Sequence, residues 1–528
     1  MPIILSNIKV PVGTPHSEIC RSAEKTLGLK ASEVAGSGIY RQSLDARNRA
    51  DIHSVCSVML RLFSKKREIT LSERRKDVRY FEETEPEAKI STEKREGRVV
   101  IAGFGPAGMF CALLLSEKGY RPIVLERGAD VDSREIAVNG FWRGGVLDEN
   151  SNVQFGEGGA GTFSDGKLTT RIGDPLCRYI LKRFCEFGAP EEIMYLSKPH
   201  VGTDKLRGIV KNLRARVIEN GGEIRFLSRL DGFSMSGGRI TEAISGGEHI
   251  KTSAAVLAIG HSARDTFEML LKNGVSLEPK AFSVGARIEH LQSDVDRSLY
   301  GKTSDELSLP KGEYQLSYRN CGRAAYTFCM CPGGEVVAAS SEAGGVVTNG
   351  MSGFLRNGEN ANSALVVSVD KGDFPAGALG GMEFARKIER RAFDLTKGYF
   401  APAETVGSFL DGGSDKPGVA ATYRPGVELC GIEKALPDFV CNAMRDGIRK
   451  FSREMECFSN RGALLTAPET RTSSPVRLTR SESGSALGFD NLYPCGEGAG
   501  YAGGIMSAAA DGLRTAMRIM EAFAPPER

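Results

Sequence analysis

No run of 18 or more apolar residues occurs in the chain, which excludes a transmembrane helix of ordinary length. The first residues, MPIILSNIKVPV, have neither a basic leader nor a long apolar stretch, so they do not read as a secretory signal. Net charge is slight, at +3, too little to make a field that draws in nucleic acid or a membrane surface. The 12 cysteines lack the spacing of a disulfide framework, and no CxxC or HxxxH pair suggests a metal site. Free thiols fit a reducing compartment, and the expected location is cytoplasmic. There is no internal repeat and no low-complexity tract. There is also no Gly-x-Ser-x-Gly elbow and no P-loop, so serine-hydrolase and P-loop chemistries find no anchor.

Glycine, by contrast, is abundant: 63 of 528 residues, against a usual share of about 7%. It clusters in a few loops, as it does where backbone must approach a ligand closely. At about 150 residues per domain the length suggests roughly three domains. Residues 1–64 read strand, helix, strand, strand, a small α+β unit of ferredoxin-like type. Residues 65–97 are dense in both charges and read as a solvated connector with some helix. From Arg98 the pattern becomes strand (RVVIAGFG), helix (PAGMFCALLLSEKGY) and strand (RPIVLERG), a βαβ unit of about 30 residues. Residues 280–480 show many strand-like pieces and one clear helix, GMEFARKIERRAFDLTKG.

Within that βαβ unit Gly103, Gly105 and Gly108 form GxGxxG between strand and helix. The first glycine permits the tight turn, the second admits a pyrophosphate, and the third lets helix and strand pack closely. The helix N-terminus then offers free N–H groups to phosphate. Glu126 ends the second strand about 20 residues on, where an acid accepts from ribose hydroxyls. Its charge argues against a 2′-phosphate, leaving NAD or FAD. The stretch LYPCGEGAGYAGGIMSAAADG, residues 492–512, favours FAD. A late strand ending in Gly496-Glu497, with a helix starting at Gly503-Gly504-Ile505, would close the flavin end of a site that Gly103 opens.

Taken together, IAGFGPAGMFCALLLSEKG, NVQFGEGGAGTFSDGKL, TFCMCPGG, PETRTSSPVRLTR and YPCGEGAGYAGGIMSAAADG resemble the glutathione-reductase-type FAD proteins, second subgroup. Within that group the chain is similar to the bacterial uncharacterised FAD-dependent dehydrogenase family, and RQSLDARNRADI resembles that family's leading domain. The resemblance implies non-covalent FAD and a redox role but no particular substrate. It implies that GEGGAGTFSDGKL lies along the pyrophosphate and the flavin ring. The positions expected to hold FAD are Gly103, Gly105, Pro106, Ala107, Gly108, Glu126, Arg127, Gly158, Gly159, Ala160, Gly161, Thr162, Ser164, Asp165, Gly166, Lys167, Leu230, Gly260, Gly496, Glu497, Gly503, Gly504 and Ile505. Lys167, as a cation near the ring, and His261, as a proton donor, are the catalytic candidates.

Three further features carry weaker readings. Cys329 and Cys331 would share a face of a regular strand, either as a redox pair or as two buried thiols. Arg471, Arg477 and Arg480 could line an anionic pocket or belong to a half-exposed strand. Residues 356–370 could border a substrate cleft.

The expected fold is α/β: a discontinuous Rossmann-like FAD-binding domain (98–172, 205–265 and 484–528), an inserted β-rich substrate domain (173–204 and 266–483) and the small N-terminal domain. The expected function is two-electron transfer through flavin N5 to or from a small-molecule substrate, with no nucleic acid or membrane partner. Any NAD(P)H would bind only transiently, because one dinucleotide turn is present. A flavin monooxygenase consuming NAD(P)H and oxygen, and a non-enzymatic flavin-holding module that binds RNA or protein, remain alternatives.

Overall fold

The structure is a computed structural model that describes residues 2–170, 172–301, 309–320 and 322–527. At the N-terminus, strands Ile3–Pro11, Val34–Asp45, His53–Leu62 and Val78–Tyr80 form an antiparallel sheet, with the fourth strand beside the first and the second beside the third. With helices His16–Thr26 and Lys65–Arg74 this is the β-α-β-β-α-β connectivity of ferredoxin-like units. The unit therefore runs to Tyr80 and does not stop at residue 64. Charge conceals its second half: the helix Lys65–Arg74 buries only Glu68 and Leu71, and the Glu68 carboxylate accepts the Leu62 N–H at 2.8 Å. The rest of the supposed connector is fastened to the chain's far end, with Ser91 N–H donating to Met520 and Ala524 N–H to Glu93.

The second sheet has Glu223–Arg225, Ile123–Leu125, Arg98–Ala102, the end of Glu248–Leu257 and Leu492–Pro494 side by side and parallel. An antiparallel meander, Gly232–Ser236 and Arg239–Ser245, extends it. Its central strands, Arg98–Ala102, Ile123–Leu125 and Leu492–Pro494, are buried without alternation because both faces are covered. Helix Pro106–Glu117 is buried nearly all round, as an AGMFCALLLSE sequence requires. The C-terminal helix Ile505–Ala522 packs so closely on it that a Cβ at Gly512 would lie 2.2 Å from the Ala107 carbonyl oxygen. Register brings Ala102, Leu125, Leu257 and Pro494 level, so these strands end at one edge of the sheet.

The third sheet has seven strands, ordered Ser317–Asn320, Arg323–Cys331, Asn360–Val369, Phe282–Leu291, Leu464–Glu469, Ala401–Thr405 and Val427–Leu429. Two domain boundaries differ from expectation. Helix Cys177–Glu186 places Tyr179, Ile180 and Phe184 in the same core as Pro106–Glu117, so 173–204 belongs with the dinucleotide-type unit. Phe267, Leu270 and Val275 likewise pack with the second sheet. Between Phe282 and Glu469 the chain is also more helical than expected, with Asp438–Phe451 forming a strongly amphipathic helix against the third sheet. No helix is long and apolar enough to cross a membrane, among the described residues.

Candidate functional site

The level strand ends carry Gly103, Glu126, Ala258–Gly260 and Cys495–Gly496 along one edge, where open α/β sheets bind ligands. Gly103 has φ +97°, and a Cβ there would lie 2.3 Å from the Ala258 carbonyl oxygen; one at Gly108 would lie 2.0 Å from that of Gly103. These two glycines serve backbone contact within the βαβ unit. Gly105 differs, since its φ of −82° suits any residue and its nearest neighbour is the Cα of Gly159 at 3.6 Å from a built Cβ. The Gly103–Gly108 turn and the GEGGAGTFSDGKL loop, residues 156–168, therefore touch. The 492–512 stretch joins them: a Cβ on Gly161 would meet Ile505 at 3.2 Å, one on Gly496 the Ala107 side chain at 2.7 Å, and one on Gly498 the Gly260 carbonyl at 2.6 Å. Helices Pro106–Glu117 and Ile505–Ala522 both start here, behind Gly105 and Gly504, and neither start has a side-chain cap. At Gly260, Gly503 and Gly504 a Cβ would meet no protein atom within 4 Å.

Glu126 is buried, and its carboxylate accepts from the N–H groups of Phe104 (2.8 Å), Gly128 (2.9 Å) and Gly156 (3.0 Å). Three acceptor positions are thus spent on holding loops together, which leaves one on Oε2 for a ribose hydroxyl. Arg127 forks onto Asp265 and lies 4.1 Å from the centroid of the Phe155 ring. Sequence reasoning missed Arg134. Fully buried, it donates to the carbonyls of Asn152 (2.8 Å), Val153 (3.0 Å), Glu157 (2.7 Å) and Gly159 (2.9 Å), and so shapes the start of the 156–168 loop. Burial pulls it down only to about 9, so it remains a cation at neutral pH. Gly158, with φ +85°, faces Thr162, whose hydroxyl donates to Glu157 at 3.3 Å, and Ala160–Phe163 form a single tight turn.

The polar end of that loop does not present free groups. Ser164 donates to the Gly161 carbonyl and accepts from Gly166 N–H, whose residue has φ +65°. Asp165 is buried and bound by Ser352, by the Arg356 fork and by Lys167 at 2.6 Å. Burial pushes its carboxyl up, but Lys167 and Arg356 outweigh burial and hold it below its usual range. Lys167 also faces Glu313 at 3.7 Å, so its charge is spoken for and it is not a free cation. Leu230 is buried in the apolar cluster under the second sheet. Two of the three expected arginines are structural: Arg471 pairs with Glu389, and Arg480 ties the Pro494 carbonyl to Asp511. Arg477 and Arg480 both lie over the Tyr501 ring, 5.3 Å and 4.0 Å from its centroid.

Two residues picked out separately do meet. His261 Nδ1 lies 3.5 Å from Glu497 Oε1, and its Nε2 is buried with no hydrogen-bond partner. Lys280 shares this corner: burial and Arg477 draw its ammonium down while Glu497 pushes it up.

Behind the site, Arg264, Glu342, Arg386, Glu389 and Arg471 form a buried ionic network that links helix Arg264–Lys272 to helix Gly380–Thr396. Burial raises Glu342, but Arg386, Arg264 and Arg471 overcome this and hold it at about 2; Glu389 is lowered in the same way by Arg264 and Arg471. A carboxylate whose folded pKa is depressed contributes its full stability above the unfolded value and loses it as pH falls toward the folded one. Melting temperature should therefore fall between about pH 5 and pH 2, and Glu342→Gln should flatten that slope. An unchanged slope in the variant would show that the network does not carry the acid lability.

The comparisons with known proteins are as follows. A family model described as "FAD-dependent protein, C-terminal domain-like" matches residues 281–472, close to the span of the third sheet. An "Uncharacterized protein" of Clostridium beijerinckii (strain ATCC 51743 / NCIMB 8052) is 45% identical over 535 residues, covering 100% of both chains. Among solved structures, glycine oxidase from Bacillus cereus ATCC 14579 aligns over 81% of this chain and 98% of its own at 8% identity and TM-score 0.35. CtdE in complex with FAD aligns over 81% and 84% at 10% identity and TM-score 0.32.

Proposed function

From the premise that this chain belongs to the family of the Clostridium beijerinckii protein it matches end to end, we propose that it is a FAD-dependent oxidoreductase acting on a small organic molecule. The observation that carries this reading is the meeting of three glycine-rich stretches around two uncapped helix starts. The name of the domain matched by residues 281–472 supports it. The residues present fit such a group. The uncapped N–H groups behind Gly105 suit a pyrophosphate, and Glu126 keeps one acceptor for ribose. The open backbone at Gly260, Gly503 and Gly504 leaves room for a ring system. When bound, FAD supplies two-electron transfer at N5.

The chain's own part is to bind, orient and exclude water. His261 is the residue we assign to proton transfer, because its Nδ1 lies 3.5 Å from Glu497 and its buried Nε2 has no protein partner. Purified protein should show the yellow flavin absorbance, and denaturation should release FAD and not FMN. Colourless protein that does not take up added FAD overturns the proposal. With FAD bound, an anaerobic screen of metabolites for flavin bleaching would identify the substrate class, and His261→Gln should slow that bleaching.

A further inference from the structure

Strand Arg323–Cys331 is not regular at its end. Phe328 stands opposite Ala364 and Cys331 opposite Asn362, so one extra residue is inserted, and Cys329 takes a left-handed φ of +46°. In a regular strand Cys329 and Cys331 would point the same way two rises apart, with Cβ atoms about 6.6 Å from each other against the roughly 3.5–4.5 Å of a disulfide. The bulge turns Cys331 back toward Cys329: Cys331 Sγ lies 3.4 Å from the Cys329 carbonyl oxygen. Arg287 fixes the bulge by donating to that same carbonyl at 2.9 Å while its fork holds Glu469. Cys329 is half-buried and Cys331 buried. The neighbouring Cys331 thiol, with help from Arg287 and Lys167, draws Cys329 below the usual thiol range, whereas Cys329 and burial push Cys331 up.

We propose that Cys329 and Cys331 are a redox-active dithiol that exchanges with low-molecular-weight disulfides. The Cys329 thiolate attacks one sulfur of the disulfide RSSR, forms a mixed disulfide and expels RS⁻. Cys331 then attacks Cys329 Sγ, closes the Cys329–Cys331 disulfide and releases the second thiol, which carries away the Cys331 proton. The protein pair loses two electrons and the small disulfide gains them. This exchange is independent of the flavin reading, since neither step passes through FAD.

The test uses the full chain, reduced, desalted and exposed to oxidised glutathione, then alkylated and digested with trypsin. Cleavage after Arg323 and Arg356 gives one peptide whose only cysteines are 329 and 331. In the wild type most of this peptide should escape alkylation and be lighter by two hydrogens. Cys331→Ser should stop at a glutathione adduct on Cys329, and Cys329→Ser should yield neither product. Alkylation of Cys329 should titrate below the usual thiol value of about 8.5. If both thiols of the wild type stay fully alkylatable after glutathione treatment, or if the adduct persists unresolved there, the proposal fails. The wild-type result stands even if a serine variant does not fold.

Discussion

Gly105→Glu gives a folded, colourless protein. The position is favourable for a clean result. Its backbone angle is open to any residue, and an added Cβ would make only ordinary contact with Gly159. The substitution should therefore leave the circular dichroism and the melting temperature of the ligand-free protein close to wild type. What it adds is a carboxylate at the mouth of an uncapped helix, where the proposed pyrophosphate would lie. Two like charges about 4 Å apart near a protein surface repel by about 4 kcal/mol, which is roughly a thousandfold in affinity. Gly105→Ala, with the methyl but no charge, should lose far less. Flavin titration of the two variants checks this: equal affinities would mean that no phosphate passes Gly105. Gly103 and Gly108 cannot replace it as probes, because side chains there strike backbone and would damage the fold itself.

This difference among three glycines of one motif marks how far the sequence can be read. That a turn joins strand to helix at Gly103–Gly108 is local information, held in a β-branched run, a glycine pattern and an apolar helix. That the C-terminal stretch returns to the turn at Gly103 was expected from its own late strand and helix start, whereas the strand order at the sheet edge is seen only in the structure. What Asp165 and Lys167 do was not legible, because the groups that hold Asp165, Ser352 and Arg356, lie far along the chain and only folding brings them in. The pairing of His261 with Glu497 was hidden for the same reason, although each residue stood out alone. The helix Asp438–Phe451 is a different case. Val440, Met444, Ile448 and Phe451 recur at helical spacing, and all four are buried; the signal was present, and strand-like neighbours masked it. The bulge at Cys329 lies between these cases, since CxC is visible in sequence but the extra residue is defined only against its partner strand.

Arg134→Leu should be strongly destabilising. Nothing in the sequence marks Arg134, because its partners are main-chain carbonyls, which every residue has. In the structure it is wholly buried and supplies donors to four of them. Glycine at 156 is required by the same arrangement: its φ is +121°, and a Cβ there would lie 2.4 Å from Arg134 Cδ. Leucine fills much of the volume but donates nothing, so up to four buried carbonyls lose their partners at about 1–3 kcal/mol each. Relaxation of the loop recovers part of this, and a net loss of about 4 kcal/mol or more is expected, a large share of a typical stability of 5–15 kcal/mol. Arg134→Lys keeps the charge and can satisfy one or two of the carbonyls, so it should fall between wild type and leucine. Urea unfolding of the three proteins without added flavin measures the effect directly. Because Arg134 shapes the loop that touches Gly105, the lysine variant should also bind flavin more weakly than its stability loss alone accounts for. A lysine variant as tight-binding as wild type would show that the loop's shape is set elsewhere, and a leucine variant within about 1 kcal/mol of wild type would show that the four carbonyls find other donors.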